Sequence, residues 1–167
     1  MKYLRLFESF EDIKEICKKY SITNYTINQD GSIDVNEYVD LSNKGLTKLP
    51  LKFNKINGDF YCDGNELTSF EFSPRIIRGD FDCEYNNIKT FEYFPIFVKV
   101  DFLCYSNPIY EVWRLFHDTS KIELLNDFDI FRDEYTEEPA IVMDRLNDFL
   151  LTIGKDTVEY VHDYKNI

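Results

Sequence analysis

Residues 59–112 carry one short pattern three times, at an interval of 21 residues. It runs Asp59-Phe60-Tyr61-Cys62-Asp63-Gly64-Asn65-Glu66-Leu67-Thr68-Ser69-Phe70, then Asp80-Phe81-Asp82-Cys83-Glu84-Tyr85-Asn86-Asn87-Ile88-Lys89-Thr90-Phe91. The third copy is Asp101-Phe102-Leu103-Cys104-Tyr105-Ser106-Asn107-Pro108-Ile109-Tyr110-Glu111-Val112. One interval upstream lies a weaker copy, with Val39, Leu41, Leu46 and Leu49 in the apolar slots and Lys44 in place of Asn. Ile56/Ile77/Val98, Gly58/Gly79 and Pro74/Pro95 keep the same register. Such a period restricts the fold severely. One unit cannot bury its apolar side alone, so successive units must stack.

The alternation of Phe and Cys with polar residues predicts short parallel strands near 39–41, 60–62, 81–83 and 102–104. Phe60/Cys62, Phe81/Cys83 and Phe102/Cys104 point inward in this reading. The frame apolar-x-(Leu/Cys)-x-x-Asn-x-(Leu/Ile)-x-x-(Leu/Phe/Val) resembles the leucine-rich repeat in its short variety, over about residues 38–112. The wording around it, Asp30-Gly31-Ser32-Ile33-Asp34-Val35 and Asp40-Leu41-Ser42-Asn43-Lys44-Gly45-Leu46-Thr47-Lys48-Leu49-Pro50, is similar to leucine-rich-repeat-like proteins of bacteriophages. The resemblance implies an α/β repeat: a short solenoid of about four 21-residue rungs with a parallel sheet. It also implies an asparagine ladder of Asn65, Asn86 and Asn107, whose amides satisfy backbone groups where the chain leaves each strand.

The flanks read as caps, which a stack of rungs needs at both ends. Ser9 and the acids Glu11 and Asp12 suggest a helix start, followed by the stripe Ile13, Ile16, Cys17, Tyr20. Tyr25-Thr26-Ile27 and Ser32-Ile33-Asp34-Val35 flank Asp30-Gly31 as a hairpin. After Asn107 the period fails and helical stripes follow: Ile109, Val112, Trp113, Phe116, then Leu124, Leu125, Phe128. Pro139 is expected to open a helix with Val142, Leu146, Phe149, Leu150 and Ile153 inward, stopped by Gly154. A last short helix is expected near 157–164. One domain results, with an N-terminal cap over 1–36, repeats over 37–112 and a helical C-terminal cap over 113–167.

The formal net charge of −12 argues against nucleic-acid or anionic-membrane partners, which call for clustered Lys and Arg. The four cysteines read as reduced and structural, because equivalent slots on adjacent strands stand about 4.8 Å apart and suit a disulfide poorly. The chain has neither a long apolar span nor a secretory apolar segment at Met1–Glu8, so cytoplasm is the expected compartment. Capped ends favour a monomer.

Function is sought on the outward residues of the strands, which the resemblance makes a concave ligand surface. The rows are Tyr38-Asp40-Ser42, Asp59-Tyr61-Asp63, Asp80-Asp82-Glu84 and Asp101-Leu103-Tyr105. They bring seven carboxylates together with three tyrosines and a leucine, and no basic residue. In a column such as Asp59, Asp80, Asp101, a pair about 4.8 Å apart at an effective dielectric of 20 repels by on the order of 3 kcal/mol, less when solvated. The expected partner-binding residues are therefore Tyr38, Asp40, Asp59, Tyr61, Asp63, Asp80, Asp82, Glu84, Asp101, Leu103 and Tyr105, facing a protein with a basic surface. The competing reading is structural, with Asp at the start of each strand forming a turn. A second functional reading is a nucleic-acid mimic that blocks a DNA- or RNA-binding protein. The phage resemblance implies an accessory protein that inhibits or redirects a host defence protein.

Catalysis is not expected. His117 and His162 have no nucleophile or metal-ligand context, no phosphate-binding loop is present, and Asp127-x-Asp129 lacks the Gly and terminal Glu of a calcium loop. A flat strand face also offers no pocket that excludes water. No cofactor or metal is expected.

Overall fold

The computed structural model describes residues 10–132 and 140–167. The fold is α/β, with sheets that contain parallel strands and with a few short helices. Helix α1 (Phe10–Lys19) carries Glu11 and Asp12 in its first turn and Lys18 and Lys19 in its last, the distribution that the helix dipole favours. Ile13 and Cys17 are buried, with Ile16 and Tyr20 packed beside the core. The expected cap Ser9 lies outside the described residues. Strands β1 (Tyr25–Ile27) and β2 (Ile33–Val35) pair antiparallel, Ile27 opposite Ile33, as the hairpin reading requires. The turn is held by the Asp30 carboxylate, which accepts the Ser32 N–H and an ion pair from Lys52.

Along the chain follow β3 (Val39–Asp40), β4 (Phe53–Ile56), β5 (Phe60–Tyr61), β6 (Ile76–Ile77), β7 (Phe81–Asp82), β8 (Phe97–Val98) and β9 (Phe102–Leu103). They form two parallel ladders. One is the four-stranded sheet β3-β5-β7-β9, and the other joins β4, β6 and β8 to the hairpin in the order β1-β2-β4-β6-β8. The four strands of the first were expected, and their regular pairing is one residue shorter than predicted. The second sheet was not expected. Its register was visible in Ile56, Ile77 and Val98, but strands of two residues leave no alternation to read.

The 21-residue interval becomes a pairing register. Val39 pairs with Phe60, Phe60 with Phe81 and Phe81 with Phe102. The phenylalanines therefore stack inside: ring centroids lie 5.8 Å apart for Phe60–Phe81 and 5.5 Å for Phe81–Phe102. Phe70 and Phe94 fill the space between, with Phe94 4.8 Å from Phe102, edge to face. Cys62, Cys83 and Cys104 are buried and free, as is Cys17 on α1.

The asparagine column binds backbone. Asn86 Nδ2 donates to Cys62 O at 2.9 Å and Cys83 O at 3.0 Å, while its Oδ1 accepts the Leu67 N–H at 2.9 Å. Asn65 and Asn107 repeat the arrangement on their own neighbours. The residue before each slot is left-handed: Asn43, Gly64, Tyr85 and Ser106 have φ of 56°, 64°, 53° and 56°. This turn carries the chain off the strand at the same place each time.

Helix α2 (Tyr110–Trp113), a tight turn at Thr119–Lys121 and helix α3 (Ile122–Asp127) come next, with Val112, Trp113, Phe116 and Leu125 buried as the stripes predicted. Two expectations fail beyond them. Pro139 lies outside the described residues, and no helix starts at the described residues that directly follow it. Ala140–Ile141 is instead strand β11, antiparallel to β10 (Phe131–Arg132) and parallel to β12 (Lys165–Asn166). Helix α4 (Met143–Thr152) begins only after Val142, still extended at ψ 100°, and buries Leu146, Phe149 and Leu150. Its chain then turns at Gly154, φ 74°. The helix expected near 157–164 does not form. Side-chain amides take that backbone: Asn147 bonds Val158 N–H and C=O, Asn166 bonds Val161 N–H and C=O, and Asp163 is left-handed. The C-terminal unit is thus part helix and part three-stranded sheet. Its Tyr164 hydroxyl donates to Lys89 O at 2.7 Å, tying it to the central sheets.

Candidate functional site

The outward side chains of the four-stranded sheet meet as predicted. Pairing places Asp40, Tyr61, Asp82 and Leu103 in one column. Beside it run Tyr38, Asp59, Asp80 and Asp101 on the N-terminal side, and Ser42, Asp63, Glu84 and Tyr105 on the other. Asp40, Tyr38, Leu103, Tyr105 and Asp101 are exposed, while Tyr61, Asp59, Asp63, Asp80, Asp82 and Glu84 are half-buried.

The carboxylates do different work. Asp59 Oδ1 accepts the N–H of Asp80 at 2.8 Å, and Asp80 Oδ1 accepts that of Asp101 at 3.0 Å. These two lock successive strand starts together, a structural role across strands where the structural reading had supposed a turn. The link needs Gly79: a Cβ there would stand 2.0 Å from Asp59 Oδ1 and 2.7 Å from Asp59 N. Tyr61 is engaged too, its hydroxyl donating to Asp59 Oδ2 at 2.9 Å. That bond, with partial burial and nearby carboxylates, pushes the phenol up to about 12. Asp40 accepts the Ser42 N–H and is held below the usual carboxylate range, with Lys44 contributing a smaller part.

Asp82 and Glu84 lie at the acidic centre. Burial raises the Asp82 carboxyl, and Asp63 and Asp80 raise it further against the lowering bond from Glu84 N–H. Burial, then Asp82 and Asp63, likewise raises Glu84. Asp63 accepts a hydrogen bond from the Ser42 hydroxyl. The centre thus holds negative charge at an electrostatic cost.

Two tyrosines escaped the sequence reading. Tyr85 packs edge-on against Tyr105 at 6.0 Å, and Tyr105 against Tyr110 at 5.3 Å. Tyr85 occupies the left-handed slot held elsewhere by Asn43, Gly64 and Ser106, and being the one large residue there was the available signal. The face is also less flat than expected, since a groove of about 620 Å³ opens along β9. Among the described residues no group of three His, Cys, Asp or Glu side chains is arranged to hold a metal ion, and no helix is long and apolar enough to cross a membrane. No family model, curated protein or solved structure matches the chain.

Proposed function

We propose that the chain is a non-enzymatic protein-binding module, a short leucine-rich-repeat-like solenoid whose acidic, tyrosine-bearing face docks a partner with a basic surface. The solenoid reading is supported by the 21-residue pairing register shared by two parallel ladders and by the matching asparagine bonds. The binding reading rests chiefly on Asp82 and Glu84. Their carboxyls are raised by burial and by other carboxylates, so a cation brought against them relieves repulsion already present in the free protein. Tyr105, Tyr85 and Tyr110 supply an aromatic anchor of the kind enriched at interface centres. Extended from the phage resemblance, the reading has the protein acting in the cytoplasm of an infected bacterium on a host protein.

The test is capture of host proteins by the wild-type chain and by an Asp63→Lys/Asp82→Lys variant shown by circular dichroism to be folded. A partner retained by the wild type in 0.5 M salt, roughly tenfold above screening at 0.05 M, and lost with the variant supports an aromatic-anchored interface. Equal capture by both chains refutes the face as the site. Capture that disappears with salt and is displaced by DNA favours the nucleic-acid mimic instead.

A further inference from the structure

Each strand of the four-stranded sheet hands its hydrogen bonds to the next, and at β9 the succession stops. The carbonyls of Asp101, Leu103 and Tyr105 accept the N–H groups of Phe81, Cys83 and Tyr85. In a parallel strand the intervening residues face the other way. Phe102 N–H, Phe102 C=O and Cys104 N–H therefore point off the sheet, where no described strand pairs with them. The side chains stop as well. Asp59 and Asp80 each accept the N–H of the following strand start, and Asp101, the third of that column, has no following strand to serve. Cys62 O and Cys83 O each accept two asparagine amides, whereas among the described residues Cys104 O accepts one, from Asn107.

Among the described residues no strand closes this edge, although Phe102 and Cys104 are only 6% and 2% exposed. A groove of about 620 Å³ lies here, lined by Phe102, Leu103 and Cys104 together with Trp113, His117 and Asp118. Its floor is aromatic, because Trp113 meets Phe102 edge-on at 5.0 Å and His117 lies against Trp113 at 5.5 Å. Its rim is acidic, with Glu84, Asp101 and Asp118. Asp118 is held in its charged form by bonds from Ser120 N–H and hydroxyl.

We infer that the free edge of β9 takes an extended, basic segment of a partner protein as an added parallel strand. Main-chain bonds to Phe102 and Cys104 supply the attachment, as in other cases of strand addition. The direction follows from Asp101: placed at the start of β9, it receives the first N–H of the incoming strand as Asp59 receives that of Asp80. The alternation of a strand then sets the sequence. Residues beside Asp101, Leu103 and Tyr105 face the acidic rim and the Tyr105 ring, which suits Lys or Arg. Residues beside Phe102 and Cys104 turn toward Trp113 and are apolar. The preferred segment reads basic-apolar-basic-apolar-basic. The site adjoins the proposed binding face, with Glu84 and Tyr105 common to both and a basic partner in each case, but Asp63 and Asp82 take no part in it.

The probe is a capped synthetic pentapeptide, Lys-Val-Lys-Val-Lys, carrying a fluorophore and titrated with the full chain by anisotropy. Three versions separate edge pairing from simple charge attraction. N-methylation of the central Lys removes an edge-facing N–H and is expected to weaken binding at least tenfold. N-methylation of the second Val removes a solvent-facing N–H and is expected to change affinity less than twofold. In the protein, Asp101→Lys is expected to weaken binding at least tenfold and Asp63→Lys less than threefold. Phe102 and Cys104 amide hydrogens should exchange more slowly when the peptide is bound. Absence of binding, equal effects of the two methylations, unchanged exchange at Phe102 and Cys104, or self-association of the chain through this edge each overturns the inference. Loss on Asp63→Lys equal to that on Asp101→Lys would assign the peptide to the sheet face and leave the proposed function standing without it.

Discussion

Asn86→Ala is the sharpest probe of how the parallel strands are held. Asn86 is 5% exposed, and its amide makes bonds that no other group replaces. Truncation orphans the Leu67 N–H, whose bond is to Asn86 Oδ1 at 2.9 Å, at a residue that is itself buried. A buried donor left unsatisfied costs about 1–3 kcal/mol. Cys62 O and Cys83 O each lose one of two amide donors, keeping Asn65 and Asn107 respectively, for a further 1–2 kcal/mol or so together. The expected loss is about 2–5 kcal/mol, or on the order of 10 °C in Tm for a chain of this size. Urea unfolding followed by the fluorescence of Trp113, the single tryptophan, measures it directly, since Trp113 packs on Phe102 and Phe116. Asn87→Ala is the control, an exposed neighbour expected to change stability by less than about 0.5 kcal/mol. Asn86→Asp keeps the acceptor but buries a charge without the amide donors, so near neutral pH it should do at least as badly as Ala. A cost below about 1 kcal/mol for Asn86→Ala, or one equal to that of Asn87→Ala, would refute the assignment of the asparagine column as the fastening between strands.

Gly79→Ala should cost about 2–3 kcal/mol in the same urea assay, because its Cβ would meet both the Asp59 carboxylate and backbone; an unchanged midpoint would show that the strand starts are loosely joined. Asp82→Asn keeps an oxygen for the Glu84 N–H and removes a charge from the acidic centre. The Asp82 carboxyl is raised on folding, so its ionised form opposes folding at neutral pH and that penalty fades as pH falls through the folded and then the unfolded value. The variant should therefore unfold at higher urea than the wild type at pH 7, with the gap closing toward pH 3, well below a carboxylate's usual range; a gap that widens on acidification contradicts this. Burial pushes the Cys17, Cys62, Cys83 and Cys104 thiols up, so none of the four cysteines should react with an aromatic disulfide reagent faster than the chain unfolds, and all should react in urea.

Much of this was legible because the period writes the same side chain at the same height. The Phe and Cys columns, the asparagine bonds and the columns of the acidic face follow from residues that recur together. The second sheet was harder to see, since Ile56, Ile77 and Val98 recur without the alternation that marks a strand. The C-terminal unit has no period to help. There Ala140–Ile141 joins a sheet because distant segments at 131–132 and 165–166 pair with it, and Asn147 and Asn166 divert backbone that local pattern assigned to a helix. Tyr85 was missed for a different reason: its bulk in the slot that Asn43, Gly64 and Ser106 fill was a signal, but the pattern does not tell that a left-handed residue there packs against Tyr105. The structural and binding readings of the acids were visible as two alternatives; Asp59 and Asp80 bond the backbone of the next strand, whereas the binding role of Asp82 and Glu84 stays a proposal.

The constant pairing register has a kinetic consequence. Every new strand of the four-stranded sheet closes a segment of the same length on the strand before it, so each step bears the same modest closure entropy and none requires a distant encounter. Assembly can then advance by accretion from any pair already formed, and loosening should begin at β3 and β9, the two termini with a neighbour on one side alone, while β5 and β7 stay clasped between two.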